Sequence, residues 1–231
     1  MLIAGFAKLS MLDYPGKLSA VVFAPYCNWR CWYCHNAHIL SGEVPLIPED
    51  YVLDYLDKRK NMLQGVVVTG GEPTIRPDLP RFMEKLRGLG YLVKLDTNGS
   101  NPKMVLSLIE RQLVDYFAMD IHASEAKYRE TVCAPVKMED IYKSIELIKN
   151  SGVDYEFRTT FAPTLSRQDI LDIADMIPGA KAFYLQQYRP ALPKPGEKPV
   201  AAMPLAHLPE YVRETAAEMK AKLGVCEVRG L

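Results

Sequence analysis

Apolar runs that fit β-strands alternate along this chain with amphipathic segments that fit α-helices. Strands are predicted over residues 19–25, 65–69, 91–97, 114–122, 155–161, 182–188 and 225–228. Helices are predicted over residues 48–62, 77–89, 102–113, 138–150, 167–177 and 209–223. This alternation predicts a parallel sheet with helices packed outside it.

Six strand–helix pairs follow one another along the sequence, and they define the expected fold class. We predict an α/β protein, a (β/α)6 partial (open) TIM-like barrel with parallel strands and right-handed crossovers. A closed barrel of this type needs about eight pairs, so six leave an opening at the side. A single domain over residues 1–231 is expected for this length. The proline-rich residues 190–209 either cover the opening or lead the chain to the last helix.

Composition and charge exclude several classes of protein. Lys plus Arg and Asp plus Glu each number 28, and the formal net charge of +0 predicts no nucleic-acid surface and no polybasic membrane patch. The start of the chain lacks the features of a signal peptide, and no apolar run reaches about 18 residues. A cytoplasmic protein with reduced cysteines is therefore expected.

Three of the five cysteines form a C-x3-C-x2-C pattern directly after the first predicted strand. The thiolates of Cys27, Cys31 and Cys34 can converge on one metal centre. An iron–sulfur cubane usually takes four thiolates, so three leave one iron open to a ligand. A zinc site of the same cysteines with His35 or His38 is the main alternative. A disulfide is a weaker one, because the cysteine count is odd.

Ligand sites of parallel α/β folds gather at the C-terminal ends of the strands. The second predicted strand ends in Gly70, Gly71 and Glu72. The glycines allow a ligand close to the backbone, and Glu72 and nearby carbonyls can accept bonds from an ammonium group, although a simple Gly-Gly turn is an alternative. Asp120 and His122 end the fourth strand, and alternation places them on one face. A carboxylate and an imidazole there are unusual for core packing.

The remaining strand ends carry polar candidates as well. Asp96 and Thr97 end the third strand in a sequence that also fits a turn. Arg158 should point away from its apolar neighbours, either as a donor fork for a carboxylate or ribose or in an ion pair with an acid on a neighbouring strand. Gln187 and Arg189 share a face at the end of the sixth strand and are further candidates.

The cysteine motif, with an aromatic residue before its last cysteine, resembles the cluster loop of radical S-adenosylmethionine enzymes. The wider match, from residues 9–17 to residues 34–36, resembles the activating proteins of glycyl-radical enzymes. Among these, the activator of anaerobic ribonucleoside-triphosphate reductase is the most similar type, and the pyruvate formate-lyase activating enzyme is a cousin. The resemblance also implies a (β/α)6 partial barrel.

The resemblance implies a 4Fe–4S cluster on the three cysteines and S-adenosylmethionine bound at the open iron. One electron from a reduced flavodoxin or ferredoxin would cleave S-adenosylmethionine, and the resulting radical would take a hydrogen atom from a glycine of a partner enzyme. The protein substrate is thus a glycyl-radical enzyme. No protein acid or base is required, because the cofactor carries the chemistry.

Particular residues match the family pattern. The Gly-Gly-Glu-Pro sequence of residues 70–73 resembles the element that receives the amino group of S-adenosylmethionine. Asp96 and Thr97 match a pair that helps to hold a monovalent cation near the cofactor. Asp120 and His122 match an Asp-x-Lys whose lysine meets the cofactor carboxylate. Because His122 replaces that lysine, we expect an imidazolium contact whose strength falls as the pH rises through about 6–7.

Two aromatic positions of the cysteine loop complete the comparison with the family. Tyr33, together with the backbone of His35, is expected to contact the adenine. Tyr26 stands before the first cysteine, where the family usually has glycine.

Overall fold

The computed structural model describes residues 1–190 and 204–231, so most of the proline-rich residues 190–209 lie outside the described residues. The strands are β1 (Gly5–Ser10), β2 (Ser19–Ala24), β3 (Gly65–Gly70), β4 (Leu92–Thr97), β5 (Tyr116–Asp120), β6 (Asp154–Phe161), β7 (Phe183–Gln187) and β8 (Glu227–Arg229). The helices are α1 (Glu49–Asp57), α2 (Leu79–Gly88), α3 (Pro102–Glu110), α4 (Tyr128–Val132), α5 (Met138–Lys149), α6 (Arg167–Met176) and α7 (Pro209–Leu223).

The predicted succession of strands and helices is confirmed from β2 to β8, with small changes of bounds. The strand predicted over residues 114–122 ends at Asp120, so His122 lies two positions beyond it. The helix predicted over residues 48–62 ends at Asp57. The sequence analysis missed β1, which pairs antiparallel with β2. It also missed α4, which has 5 residues and is too short to show a helical period.

Contacts divide the chain into two compact units, and neither is continuous in sequence. The first contains residues 1–28, 36–119 and 137–155. Its strands follow the order β1-β2-β3-β4-β5, and β2 to β5 run parallel. Four consecutive residues are buried in both β2 and β3, as expected for a parallel sheet covered on both faces.

The second unit contains residues 29–35, 120–136 and 156–231 of the chain, within the described range. Its strands β6, β7 and β8 are parallel neighbours, with Arg158 opposite Tyr184 and Tyr184 opposite Glu227. Alternation along β6 buries Phe157 and Thr159 on one face and turns Arg158 to the other, as predicted. Whether the chain is one domain stays a prediction.

Helix α6 in the second unit begins with a capping box. The Ser166 hydroxyl accepts the Asp169 N–H at 3.2 Å, and the Asp169 carboxylate accepts the Ser166 N–H at 2.7 Å. These bonds satisfy donors that the first helical turn leaves without partners. Among the described residues, no helix has the length and apolar character that a membrane crossing requires.

Candidate functional site

The glycine pair after β3 joins two loops in the first unit. Gly70 has a φ of +117°, a conformation that residues with a side chain rarely adopt. A Cβ on Gly71 would lie 1.8 Å from the carbonyl oxygen of Tyr26. That oxygen accepts the N–H of Glu72 at 2.8 Å. Both glycines are therefore required for the backbone after β3 to reach the start of the cysteine loop.

Tyr26 has a φ of +68°, which explains why glycine suits this position in the family. A residue with a Cβ pays roughly 1–2 kcal/mol for this left-handed conformation. The Tyr26 ring packs against Gly42, where an added Cβ would lie 2.3 Å from it. The Arg76 guanidinium lies 6.0 Å from the ring centroid. These contacts offset part of the backbone strain.

The carboxylate of Glu72 is buried and bound by its own unit. It accepts hydrogen bonds from the Thr74 N–H at 3.0 Å, the Thr97 hydroxyl at 2.8 Å and the Asn98 N–H at 2.6 Å, and also from the Thr74 hydroxyl. Burial raises the pKa of Glu72, and these bonds counter part of the rise. Glu72 therefore joins the loops after β3 and β4. That Glu72 and the backbone carbonyls near it accept bonds from a ligand ammonium stays a prediction.

Asp96 and Thr97 have different partners in the first unit. Thr97 donates to Glu72 and accepts the Gly99 N–H at 3.1 Å. Asp96 forms an ion pair with Lys94 at 3.1 Å. The Lys94 side chain is 3% exposed, so a buried ammonium already faces Asp96. A monovalent cation at Asp96 and Thr97 stays a prediction.

Asn98 contacts the cysteine loop, and the sequence analysis missed it. Its side-chain amide lies 3.9 Å from the sulfur of Cys27 and donates to Asn28 at 3.0 Å. Hydrogen bonds to sulfur tune the potential of iron–sulfur clusters. The signal available was the turn sequence of residues 96–99, because Asn98 lies beyond the strand, where alternation gives no face.

Cys31 and Cys34 belong to the second unit and form one turn, in which the Cys34 N–H donates to the Cys31 carbonyl at 3.0 Å. They are partly buried, like Cys27, and none of the five cysteines forms a disulfide. Within residues 1–190 and 204–231, no group of three His, Cys, Asp or Glu side chains stands in an arrangement that could hold a metal ion. Ligation by the three cysteines thus stays a prediction of their motif.

His122 lies among aromatic rings and thiols in the second unit. The Tyr33 hydroxyl is 2.8 Å from His122 Nδ1, and the Cys31 sulfur is 3.8 Å from the same nitrogen. The Trp29 ring packs edge to face against the imidazole, with 5.1 Å between the ring centroids. Burial raises the pKa of Tyr33 well above its ordinary value, so its hydroxyl stays protonated and can donate to Nδ1 or accept from it. If the hydroxyl donates, the ring proton of a neutral imidazole lies on Nε2.

The environment of His122 disfavours the charged imidazolium, and the contact of His122 with the cofactor carboxylate stays a prediction. Burial lowers the pKa of His122, the charge of Asp120 raises it in part, and Arg158 lowers it further. The lowered pKa favours the neutral ring. This ring can meet a carboxylate as a neutral donor rather than as a cation.

A cavity of about 220 Å³ opens beside the last cysteine, entirely within the second unit. Its wall combines a carboxylate, a guanidinium, two imidazoles, a phenol and a thiol. The lining residues are Tyr33, Cys34, His35, Asp120, Ile121, His122, Arg158, Thr160 and Gln186. The structure thus brings together five of the residues predicted to bind the cofactor, and alternation along β6 and β7 is the signal that could have added Thr160 and Gln186.

Gln187 and Arg189 do not line this cavity, and their contact with the cofactor stays a prediction. Gln187 donates to the His207 carbonyl at 3.0 Å, and Arg189 donates to the Gly230 carbonyl at 2.8 Å. The parity of β7 turns Gln186 toward the cavity and Gln187 away from it. The Arg189 carbonyl lies 2.7 Å from Nε2 of His35, a residue that does line the cavity.

Known proteins resemble this chain in sequence over much of its length. Residues 21–177 match the family profile described as the Radical SAM superfamily, which is more than half of the 231 residues. A provisionally named glycyl-radical enzyme activating enzyme of Methanocaldococcus jannaschii is 34% identical over 195 residues, covering 82% of this chain and 80% of the relative.

Two further similarities cover about half of the matched protein. A 7-carboxy-7-deazaguanine synthase of Neisseria meningitidis serogroup B is 32% identical over 108 residues, 46% of this chain and 45% of the relative. The crystal structure of Streptococcus suis SuiB matches 91% of this chain and 48% of its own chain, with a TM-score of 0.66 and 15% identity. This likeness confirms the predicted α/β fold, with mostly parallel strands in an open sheet. The chain therefore belongs to the radical S-adenosylmethionine superfamily, whose enzymes use a 4Fe–4S cluster and S-adenosylmethionine.

Proposed function

We propose that this enzyme activates a glycyl-radical enzyme by removing a hydrogen atom from a glycine of that protein, and that the partner is the anaerobic ribonucleoside-triphosphate reductase. The observation that carries the activating role is the similarity to the Methanocaldococcus jannaschii protein over 82% of the chain. The match of residues 9–17 to the activating proteins supports it, because this segment lies outside the shared cofactor motifs. The choice of reductase over other glycyl-radical enzymes rests on the sequence resemblance.

Three residues of the cysteine loop would hold the cluster. Cys27, Cys31 and Cys34 are partly buried thiols without disulfides, and the Asn98 amide lies beside the first of them. Three thiolates and one open iron are the donor set that a cubane with an exchangeable ligand needs. When bound, the cluster and S-adenosylmethionine supply the radical that removes the hydrogen atom.

The cavity of the second unit would hold S-adenosylmethionine. Its Arg158 offers a planar fork and His122 a neutral N–H, two donors that suit a carboxylate or ribose hydroxyls. Tyr33 offers a ring edge for the adenine. These groups orient the ligand and exclude water, and none has to move a proton.

An external protein would deliver the electron, and we propose a reduced flavodoxin or ferredoxin in the cytoplasm, where thiols remain reduced. The experiment mixes reconstituted, reduced protein with S-adenosylmethionine and purified anaerobic reductase without oxygen. Electron paramagnetic resonance should then record a glycyl doublet. The doublet should disappear when the radical-bearing glycine of the reductase is changed to alanine.

Pyruvate formate-lyase is the matched alternative partner in this experiment. A doublet on pyruvate formate-lyase, but not on the reductase, would contradict the proposed partner and retain the activating role. A second candidate function is radical chemistry on a small molecule or a peptide, favoured by the partial similarity to the deazaguanine synthase. Cleavage of S-adenosylmethionine with no radical on either partner would favour that candidate.

A further inference from the structure

A row of alternating charges runs through the second unit from the cavity to the last strand. Asp120 and Arg158 line the cavity and form a two-point ion pair, at 2.8 and 3.1 Å. Arg158 also lies 3.8 Å from Glu156, two residues earlier on β6. Arg229 on β8 donates to both oxygens of Glu156, at 2.8 and 2.9 Å.

Glu156 lies between the two guanidinium groups of this row, those of Arg158 and Arg229. Its side chain is 0% exposed, and a buried carboxylate requires a cation and hydrogen bonds. Two guanidinium groups lie within its reach, and Arg229 makes the shorter and two-point contact. Arg229 is itself held over the Tyr184 ring, 3.3 Å from the centroid. The charge of Glu156 is therefore met from β8, and Arg158 keeps its two-point contact with Asp120.

We propose that Arg229 is a positioning residue for S-adenosylmethionine. By binding Glu156, it prevents this carboxylate from drawing the Arg158 guanidinium away from the cavity. The last strand of the chain thus sets the geometry of a cofactor contact that it does not itself touch. This inference rests on the proposed place of S-adenosylmethionine in the cavity, but not on the identity of the glycyl-radical partner.

The first test replaces Arg229→Met in the reconstituted cluster-containing protein and measures S-adenosylmethionine affinity by calorimetry. Glu156 would then turn to Arg158, the remaining guanidinium beside it. We expect the dissociation constant to rise about tenfold, the size of a coupling between neighbouring charges. An affinity equal to that of the native protein would overturn the proposal.

The decisive test adds Glu156→Gln to the Arg229→Met protein. With the competing charge removed, Arg158 should return to Asp120, and the affinity should recover to within about twofold of the native value. A merely structural role for Arg229 predicts the opposite, because the double variant lacks one more native group. An affinity as weak as that of the single variant would therefore overturn the proposal.

Two further variants make the result independent of folding and of the partner. Arg229→Lys is a milder variant, because it keeps the charge but loses the two-point contact. We expect it to bind S-adenosylmethionine about threefold more weakly, and Glu156→Gln should again restore the affinity. Arg167→Met is the matched control, since Arg167 also binds two carboxylates, Glu214 and Glu218, on α7. Its S-adenosylmethionine affinity should not change. Binding is measured without any glycyl-radical enzyme, so failure of the partner assignment would leave these results intact.

Discussion

Arg158 and Asp120 face each other through two contacts, Nε to Oδ1 at 2.8 Å and Nη2 to Oδ2 at 3.1 Å. Sequence alone left two roles open for Arg158, a ligand fork and an ion pair with a neighbouring acid. The structure shows the ion pair, and it also places both residues in the cavity wall. The pair therefore holds the guanidinium plane in one orientation beside the space proposed for S-adenosylmethionine.

Replacing Arg158→Lys should weaken S-adenosylmethionine binding about tenfold, or 1.4 kcal/mol. Lysine keeps the positive charge but cannot make the two-point contact with Asp120 that fixes the donor plane. Calorimetric titration of the cluster-containing protein measures the change. Arg167→Lys is the control, because Arg167 forms an ion pair with Glu214 between α6 and α7. This variant should bind S-adenosylmethionine with the native affinity. Equal affinities of the two variants would exclude Arg158 from the site.

The sequence predicted the scaffold well because its signals are local. Strand β3, a run of apolar residues ended by glycines, and helix α2, with its helical period, can each be recognised from a short window. Strand β1 has a mixed burial pattern and a half-exposed side, so alternation is weak there. Its antiparallel pairing with β2 depends on a contact that no periodicity encodes.

Site residues could be predicted where strand alternation alone sets the direction of a side chain. They could not be predicted where several possible partners compete for the same group. Alternation placed Arg158 on the cavity side of β6, whereas on β7 the residue that lines the cavity is Gln186 and not the predicted Gln187. The four donors around Glu72 come from two separate parts of the chain, so the hydrogen-bond partners of its carboxylate could not be predicted from the sequence. The lowered pKa of His122 likewise depends on burial that only the fold creates.

A Gly71→Ala change should destabilise the protein by at least about 1 kcal/mol and reduce its iron content after reconstitution. The added Cβ would meet the backbone oxygen of Tyr26 at 1.8 Å, and this backbone leads directly into Cys27. Chemical denaturation and an iron assay measure the two effects. Gly88→Ala is the control, because a Cβ at this position meets nothing within 4 Å. Alanine in helix α2 should increase the unfolding free energy by about 0.5–1 kcal/mol. Native stability and iron content in Gly71→Ala would contradict this account of the glycine pair.

The capping box of α6 predicts a defined pH dependence. Burial alone would raise the pKa of Asp169, but hydrogen bonds from Ser166, Lys127 and Ser124 outweigh it and lower the pKa to about 2. A carboxylate with a depressed pKa adds stability that is complete above its ordinary value of 3.8 and is lost as the pH falls toward 2. We expect about 2 kcal/mol from this shift.

Asp169→Asn tests this dependence through unfolding free energies measured between pH 7 and 2. The difference from the native protein should be constant above about pH 4 and should shrink below it. Asp175→Asn is the control on the same helix, because its carboxylate is 71% exposed in a pair with Lys222 and should contribute less than about 1 kcal/mol. A difference for Asp169→Asn that stays constant down to pH 2 would contradict the assigned pKa.

The five cysteines should separate into two classes when each is changed to alanine. Changes at Cys27, Cys31 or Cys34 should abolish both the cluster and S-adenosylmethionine cleavage, since each supplies one of three thiolates and a cubane iron needs its sulfur ligand.

Cys133 and Cys226 supply the matched controls, because neither belongs to the motif. Cys133 is exposed directly after α4, and Cys226 is buried directly before β8. Burial raises the pKa of the Cys226 thiol to about 12 and disfavours the thiolate that metals bind. Both variants should retain about four irons per chain, measured by iron assay after anaerobic reconstitution. Four irons retained in Cys31→Ala, or stoichiometric zinc in the native protein, would refute the cluster and restore the zinc alternative.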